Sequence, residues 1–149
     1  MDLEVATPRW AGHPCIVAAT GPSLTEEVAA ICAQAQPFWK IIAVNDAWRR
    51  IPTADVLYAC DAKWWNAHKG AAGFAGEKWS SHEIKGNDKR QAAEQYGLKV
   101  IAGEDASIFS TDPALIRYGR NSGFQAVNLA ILFAAKPIVM VGFDMRLVK

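Results

Sequence analysis

The sequence predicts an α/β fold, a three-layer sandwich in which helices cover both faces of a mostly parallel central sheet. Short, almost continuously apolar runs rich in valine and isoleucine alternate with stretches of helical periodicity. Such runs are typical of strands buried on both faces of a parallel sheet. Right-handed crossovers would join them into a doubly wound sheet. At 149 residues the chain is expected to form a single domain, 1–149, and a domain of this size buries about 68–70% of its unfolded surface.

Five strands are predicted from the apolar runs, and a sixth from a weaker pattern. The five runs are "CIVAAT" (15–20), "KIIAVN" (40–45), "DVLYAC" (55–60), "KVIAG" (99–103) and "KPIVMVGF" (136–143). A short strand at "KWSSH" (78–82) is expected inside the otherwise irregular segment 64–85. A second irregular stretch covers 104–121, and loops of this length in a compact domain are often binding loops.

Three helices are predicted from capping residues and apolar spacing. Ser23 can cap the first helix and forms a capping box with Glu26. A second helix, 87–97, opens at Asn87 and stops at Gly97. The stretch "KGNDKR" (85–90), which overlaps its first residues, is expected to be an exposed helix start. A third, 122–135, begins at a capping box of Ser122 with Gln125. It is apolar nearly all round, which predicts a buried helix.

Composition narrows the possible partners and the compartment. The net charge of +1 provides no general field to attract nucleic acid or an anionic membrane. No apolar run approaches the roughly 18 residues that span a bilayer, and the first ten residues lack the apolar core of a signal peptide. Cys15, Cys32 and Cys60 have no metal-like spacing, which favours a reducing setting. We therefore expect a soluble, cytoplasmic protein with a small-molecule ligand, and homo-oligomerisation remains open.

Small or acidic polar residues follow all five apolar runs. They are Thr20 to Ser23, Asn45-Asp46, Asp61, Glu104-Asp105 and Asp144. Ligands of parallel sheets bind outside the carboxyl ends of the strands, where these residues are expected to lie. Capping of the next helix explains any one of these positions. All five together favour a ligand site at this edge of the sheet.

Two of these places combine a serine with a glycine at a predicted helix start. Ser23 follows Gly21 and Pro22, and Ser122 precedes Gly123. Backbone amides at helix starts bind phosphate oxygens, and a serine hydroxyl adds a donor. Glycine allows close approach of the ligand, and proline stiffens the turn. Two facing ends of this kind would suit a diphosphate or a nucleotide monophosphate ester.

The order of these motifs resembles a known group of proteins. "ATGPSL", "AVND", "YACD" and "NSGFQAVNLAILFAAKPIVMVGFDM" resemble the Gly-Pro-Ser-Leu group of Rossmann-like proteins, from about Cys15 to Met145. The group includes bacterial sialyltransferases that use CMP-sialic acid, 6-hydroxymethylpterin pyrophosphokinase-like proteins, and many phage and prophage proteins. The sequence is most similar to the phage members, which implies a protein of an infected or lysogenic bacterial host.

The resemblance implies a nucleotide- or nucleotide-sugar-binding protein and, if it is an enzyme, a sialyltransferase-like glycosyltransferase. The implied ligand is a nucleotide or nucleotide sugar, for example CMP-linked, with no required metal or other cofactor. The pyrophosphokinases instead use magnesium with ATP, for which Asp61 or Asp144 could be a ligand. A non-catalytic phage accessory or assembly protein that retains the fold is a third alternative. The implied nucleotide-binding residues are Gly21, Pro22, Ser23, Asn45, Asp61, Ser122, Gly123 and Asp144.

The catalytic residues stay unassigned at this stage. The sialyltransferases place a general-base histidine well downstream of the Ser-Gly helix, whereas this sequence ends four residues after Met145. His68 and His82 follow the third predicted strand and could reach the site, but His13 precedes the first strand, at the opposite edge.

Aromatic and basic residues offer further candidates. The resemblance to the sialyltransferases implies that Tyr118 would assist the leaving phosphate. The arginines of "RYGR" (117–120) could bind a phosphate. Trp64-Trp65 could stack on a base, although packing onto the sheet edge accounts for them equally simply.

Overall fold

The computed structural model describes residues 2–82 and 89–144, and it confirms the α/β class. Within these residues seven strands form one curled, all-parallel sheet of Rossmann-like type in the order β6-β5-β4-β3-β2-β1-β7. The strands are β1 (Cys15–Ala18), β2 (Lys40–Val44), β3 (Val56–Tyr58), β4 (Glu77–His82), β5 (Lys99–Glu104), β6 (Leu115–Arg117) and β7 (Ile138–Val141). The α-helices are α1 (Glu26–Gln34), α2 (Ala62–Ala67), α3 (Arg90–Tyr96) and α4 (Ser122–Leu132).

Helices cover both faces of the sheet, as predicted, but unequally. From β1 to β6 each strand adds beside the previous one, and α4 then returns the chain to β7 beside β1. One buried cluster contains Ala29, Trp65 and Ala92, from α1, α2 and α3. The other contains most of α4 together with Trp10 from the N-terminal segment. Three helices therefore pack on one face, while α4 and residues near the N-terminus pack on the other.

The predicted caps of the first and last helices are wrong by one or two residues. Helix α1 is capped by Thr25, whose hydroxyl accepts a hydrogen bond from the Val28 amide at 3.1 Å. Asn121 caps α4 by accepting from the Phe124 amide at 2.7 Å. Ser23 therefore lies outside its helix, and Ser122 is the first residue inside α4. Both observed caps are residue types that favour this position, so the sequence offered more than one candidate at each start.

Two elements lie in segments that sequence periodicity left irregular. Helix α2 begins two residues before the irregular segment 64–85 and ends inside it, and β6 lies within 104–121. Both are short, with six and three residues respectively, so neither spans two full periods of its side-chain pattern. The weak strand predicted at 78–82 is confirmed as β4. Asn87, which was predicted to open the second helix, lies outside the described residues, but Gly97 ends α3 in a left-handed conformation at φ 68°, in agreement with the predicted end at Gly97.

Helix α4 is the buried helix that its composition predicts. Eight of its residues are buried, among them Gln125 and Asn128. Burial of polar side chains requires hydrogen-bond partners, and both residues have them, as described below. No helix in the described parts of the chain is long and apolar enough to cross a membrane.

Candidate functional site

A cavity of about 200 Å³ opens at the carboxyl ends of β3 to β6. This is the edge at which strand-end polarity predicts a ligand site. Residues from four strand ends, the start of α4 and the residue before α3 surround the cavity. They are Cys60, Asp61, Ser81, Lys89, Asp105, Tyr118, Arg120 and Gln125.

Buried hydrogen bonds around Gln125 form the floor of this cavity. The Tyr58 hydroxyl and the Ser81 hydroxyl both donate to Gln125 Oε1, at 2.5 and 3.2 Å. Gln125 Nε2 donates to the Tyr118 carbonyl at 3.1 Å. Burial raises the pKa of Tyr58 well above its ordinary value, so its hydroxyl stays a donor at neutral pH. The floor is therefore neutral and held in place by satisfied hydrogen bonds.

One wall is formed by a contact between the end of β3 and the start of α4. The Ser122 hydroxyl donates to Cys60 Sγ at 3.0 Å and accepts from the Cys60 amide at 3.2 Å. Burial raises the pKa of the Cys60 thiol, and the Ser122 hydrogen bond opposes this only in part. Cys60 is therefore a neutral thiol at physiological pH, not an activated nucleophile.

Among the described residues, two cations and two carboxylates line the same cavity. Lys89 is only 1% exposed, and its ammonium donates to the Ser81 carbonyl at 3.1 Å. Arg120, Asp61 and Asp105 are exposed to solvent. The ammonium and guanidinium can donate to phosphate or carboxylate oxygens, and the carboxylates can accept from hydroxyl groups. The lining therefore fits a ligand that carries both an anionic group and hydroxyls.

The backbone before α4 holds Arg120 at the cavity in an uncommon conformation. Gly119 and Arg120 both have positive φ, at 50° and 63°. A Cβ at Gly119 would lie 2.3 Å from the Phe124 ring, so glycine is needed there. A left-handed non-glycine residue persists only when the surrounding structure holds it. The turn thereby fixes the direction in which Arg120 leaves the chain.

The Gly-Pro-Ser turn lies at another part of this edge and contacts the end of β7. The amide and hydroxyl of Ser23 both donate to Asp144 Oδ2, at 3.1 and 2.9 Å. The Gly142 amide donates to Ser23 Oγ at 3.1 Å. A Cβ at Gly21 would lie 2.1 Å from Asp144 Oδ2. The turn and the β7 end thus form a tight clamp, and we refer to Gly21, Ser23, Gly142 and Asp144 as the β1–β7 clamp.

The eight residues predicted to bind a nucleotide fall into separate groups. Asp61 lines the cavity, and Ser122 supports its wall through Cys60. The remaining six do not line it: Gly21, Pro22, Ser23 and Asp144 lie in or beside the clamp, Gly123 packs against Phe143, and Asn45 opens a short 3₁₀ turn at the end of β2.

Sequence reasoning missed Lys89, Ser81 and Gln125 as site residues. Lys89 lies in the "KGNDKR" stretch that predicts an exposed helix start, yet it is buried. No local signal distinguishes it from a solvated lysine, because its burial depends on β4 and α4. Tyr118 and Arg120 were candidates, and both line the cavity. Arg117 instead points to Glu104, with a separation of 4.0 Å.

None of the three histidines lines the cavity. His13 contacts the Phe38 carbonyl through Nδ1 at 2.9 Å. His68 is engaged by Asp46 at 2.7 Å and by the Trp64 carbonyl at 2.8 Å, and its ring stacks on Trp64. These contacts give His68 and Trp64 a packing role, and Trp65 is fully buried in the core. His82 ends β4. The geometry assigns no histidine as general base.

A larger depression, of about 570 Å³, lies at the opposite, amino edge of the sheet. Three of its four charged side chains are engaged by the protein itself, with Lys40 as the exception among the described residues. The Arg9 guanidinium donates to both carboxylate oxygens of Glu77, and Asp55 accepts from the Ile41 amide at 2.8 Å. The smaller cavity at the carboxyl edge is therefore the better ligand site.

The fold and cavity define an α/β domain of Rossmann-like type with a polar, mixed-charge cavity at the carboxyl edge of its sheet. Comparison with known proteins does not narrow this class further. No protein-family model matches the chain, and no curated protein is significantly similar to it.

Proposed function

We propose that this domain binds a nucleotide or nucleotide sugar at the carboxyl edge of its sheet. The observation that carries the proposal is the cavity of about 200 Å³ at the ends of β3 to β6, where parallel sheets bind ligands. Its mixed charge suits a ligand with phosphate and sugar hydroxyls. A nucleic acid or a membrane is a poor match, because the whole chain carries a net charge of only +1.

The size of the cavity limits which part of the ligand it can enclose. Pockets that bury an entire drug-sized ligand measure roughly 300–1,000 Å³. A volume of about 200 Å³ accommodates a sugar phosphate but not a whole nucleotide sugar. The base or the donor sugar would therefore lie at the open mouth, beside Asp61 and Asp105.

A glycosyltransferase of the sialyltransferase-like type is the activity that we propose for such a site. The neutral Cys60 thiol offers no covalent nucleophile. The chain's own contribution would be to orient donor and acceptor and to stabilise the leaving phosphate. Tyr118 lines the cavity and would contact that phosphate in this proposal.

The proposal is tested by calorimetric titration with CMP, UDP, ADP and GDP. Asp61→Asn should weaken the affinity for the tightest of these ligands by at least about tenfold, since one hydrogen bond to a charged group is worth about 1.5–3 kcal/mol. Glu27→Gln, an exposed carboxylate on α1, is the control for loss of one charge and should bind normally. Absence of binding by every nucleotide at millimolar concentration would refute the proposal.

A magnesium-dependent pyrophosphokinase is the second candidate, favoured by the two carboxylates in the cavity. Mg²⁺ is often held by one or two carboxylates together with substrate phosphates, and Asp61 and Asp105 fit that role. No cluster of three or more His, Cys, Asp or Glu ligands occurs in the described residues, so substrate phosphates would have to complete the site. ATP binding that requires Mg²⁺ and is lost in Asp61→Asn would favour this candidate over a metal-independent transferase.

A non-catalytic accessory or assembly protein is the third candidate. It is favoured by an apolar groove of about 210 Å³ between α4 and β7, lined by Phe109, Phe124, Met140 and Phe143 among others. Met140 is 57% exposed there, and such surfaces often mark protein contacts. Self-association measured by analytical ultracentrifugation, together with failure to bind any nucleotide, would support this candidate.

A further inference from the structure

We propose that Lys89 and Arg120 bind the phosphoryl group of the ligand, and that the Gly-Pro-Ser turn is a structural clamp with no role in phosphate binding. This inference rests on the proposed function, because it assigns the phosphate subsite within the same cavity. It reverses the expectation from the sequence, in which Gly21, Pro22 and Ser23 line the phosphate.

The turn is unsuited to phosphate because a carboxylate of the same chain already occupies its donors. Ser23 directs both its amide and its hydroxyl to Asp144 Oδ2, at 3.1 and 2.9 Å. A phosphate would have to displace this carboxylate and would be repelled by its negative charge. The helix start is also farther along, because Thr25 and not Ser23 caps α1. The residue pattern of a phosphate loop therefore serves here to join the ends of β1 and β7.

The cavity carries two cationic groups, Lys89 and Arg120. Lys89 is 1% exposed, and a charge in such surroundings is screened less than one at the surface. Arg120 is exposed, lines the cavity, and makes no hydrogen bond or ion pair within residues 2–82 and 89–144. A guanidinium binds phosphate with two parallel hydrogen bonds. One buried ammonium and one available guanidinium thus converge on the same space.

The two carboxylates of the cavity indicate what else the ligand carries. Asp61 and Asp105 would repel a bare polyanion, but they can accept hydrogen bonds from vicinal sugar hydroxyls. Cations and carboxylates in the same cavity therefore favour a sugar phosphate, such as the ribose phosphate of a nucleotide. Inorganic pyrophosphate should bind more weakly than the nucleotide, through the cations alone.

The test compares three probes on the intact chain: inorganic pyrophosphate, the tightest-binding nucleotide found by titration, and its uncharged nucleoside. Arg120→Gln should lower the affinity for both phosphate-bearing probes by at least tenfold and leave the affinity for the nucleoside unchanged. Ser23→Ala should change every affinity by less than twofold. Lys136→Gln removes one exposed cation beside the amino end of β7 and should also bind normally.

Lys89→Met provides a second variant, and circular dichroism checks that it folds. A folded Lys89→Met should also bind both phosphate-bearing probes at least tenfold more weakly. Equal losses in Ser23→Ala and Arg120→Gln, or no loss in Arg120→Gln, would overturn the inference while nucleotide binding stands. Pyrophosphate binding that depends on Arg120, without binding by any nucleotide, would support the subsite and refute the proposed function. A folded wild-type chain that binds none of the probes would overturn both.

Discussion

Removal of the Asn128 side chain should destabilise the domain strongly, because this buried amide serves three backbone groups. Asn128 is fully buried in α4. Its Oδ1 accepts from the amides of Ser110 and Arg117, and its Nδ2 donates to the Ser110 carbonyl, all at 3.0 Å. Among the described strands β6 pairs only with β5, so the Arg117 amide faces the open edge of the sheet. The side chain thereby fastens both β6 and the 105–114 loop to α4.

The expected cost of Asn128→Ala is about 3–5 kcal/mol. Each of the three backbone groups would lose its partner, and a buried polar group left unsatisfied costs about 1–3 kcal/mol. Water entering from the loop side would lower this total, which is why the sum stays below its upper limit. Domains of this kind are stable by only about 5–15 kcal/mol, so the variant should be close to unfolding at 37 °C.

Urea unfolding followed by tryptophan fluorescence measures this cost. The midpoint should fall by at least about 1 M, since the slope for small proteins is about 1–3 kcal/mol per M. Asn66→Ala is the control, because Asn66 is exposed and accepts one hydrogen bond, from the Tyr96 hydroxyl at 2.9 Å. It should change stability by less than about 1 kcal/mol. A loss below about 1 kcal/mol in Asn128→Ala would refute the role assigned to this residue.

Three further outcomes are expected. Gly21→Ala should cost about 1–3 kcal/mol of unfolding free energy, because its Cβ would meet Gly142 O at 2.4 Å. Gly73→Ala is the control and should be almost neutral, because the nearest atom to its Cβ would be 3.9 Å away. Equal losses of stability in the two variants would contradict the clamp. Tyr58→Phe should lower the free energy of unfolding by about 1–2 kcal/mol, because it removes the 2.5 Å hydrogen bond to Gln125. Thermal unfolding measures this change. An unchanged stability would refute the role assigned to this hydrogen bond in the floor of the cavity. Iodoacetamide should modify Cys60 more slowly than a free thiol at pH 8, because burial raises the pKa of the Cys60 thiol and keeps the thiolate scarce. The rate of modification should rise as the pH increases. A rate equal to that of glutathione would refute this prediction.

The fold class and the edge that carries the cavity were predictable because both depend on local patterns. Short apolar runs identify buried strands, and β1 begins at Cys15 as its run predicts. The residues after parallel strands meet at one edge whatever the strand order is. Asp61 and Asp105, which follow β3 and β5, therefore reach the cavity as expected.

The composition of the cavity was less predictable, because it depends on contacts between distant segments. Lys89 and Gln125 reach it only through the packing of α3 and α4 around the end of β4. The Gly-Pro-Ser turn illustrates the opposite problem, because its residue pattern predicts a phosphate loop, whereas in the structure its donors bind a carboxylate of the same chain. Its occupant, Asp144, is 121 residues away from Ser23. Ser23 and Asp144 meet because β1 pairs with β7. No local signal in the sequence indicates that pairing.

The cavity arises where two helices leave the sheet edge in opposite directions. Asp61 precedes α2, which packs on one face, whereas Ser122 begins α4 on the other. The Cys60–Ser122 contact at 3.0 Å holds the two starting points together, and the helices diverge from it. Divergence of this kind opens the crevice in which doubly wound proteins bind ligands. Between β1 and β7 the Ser23–Asp144 hydrogen bonds close the corresponding space. The hydrogen bonds of the β1–β7 clamp therefore occupy the place beside Ser23, whereas the cavity beside Asp61 stays open, as does a depression of about 340 Å³ at the ends of β1 and β2.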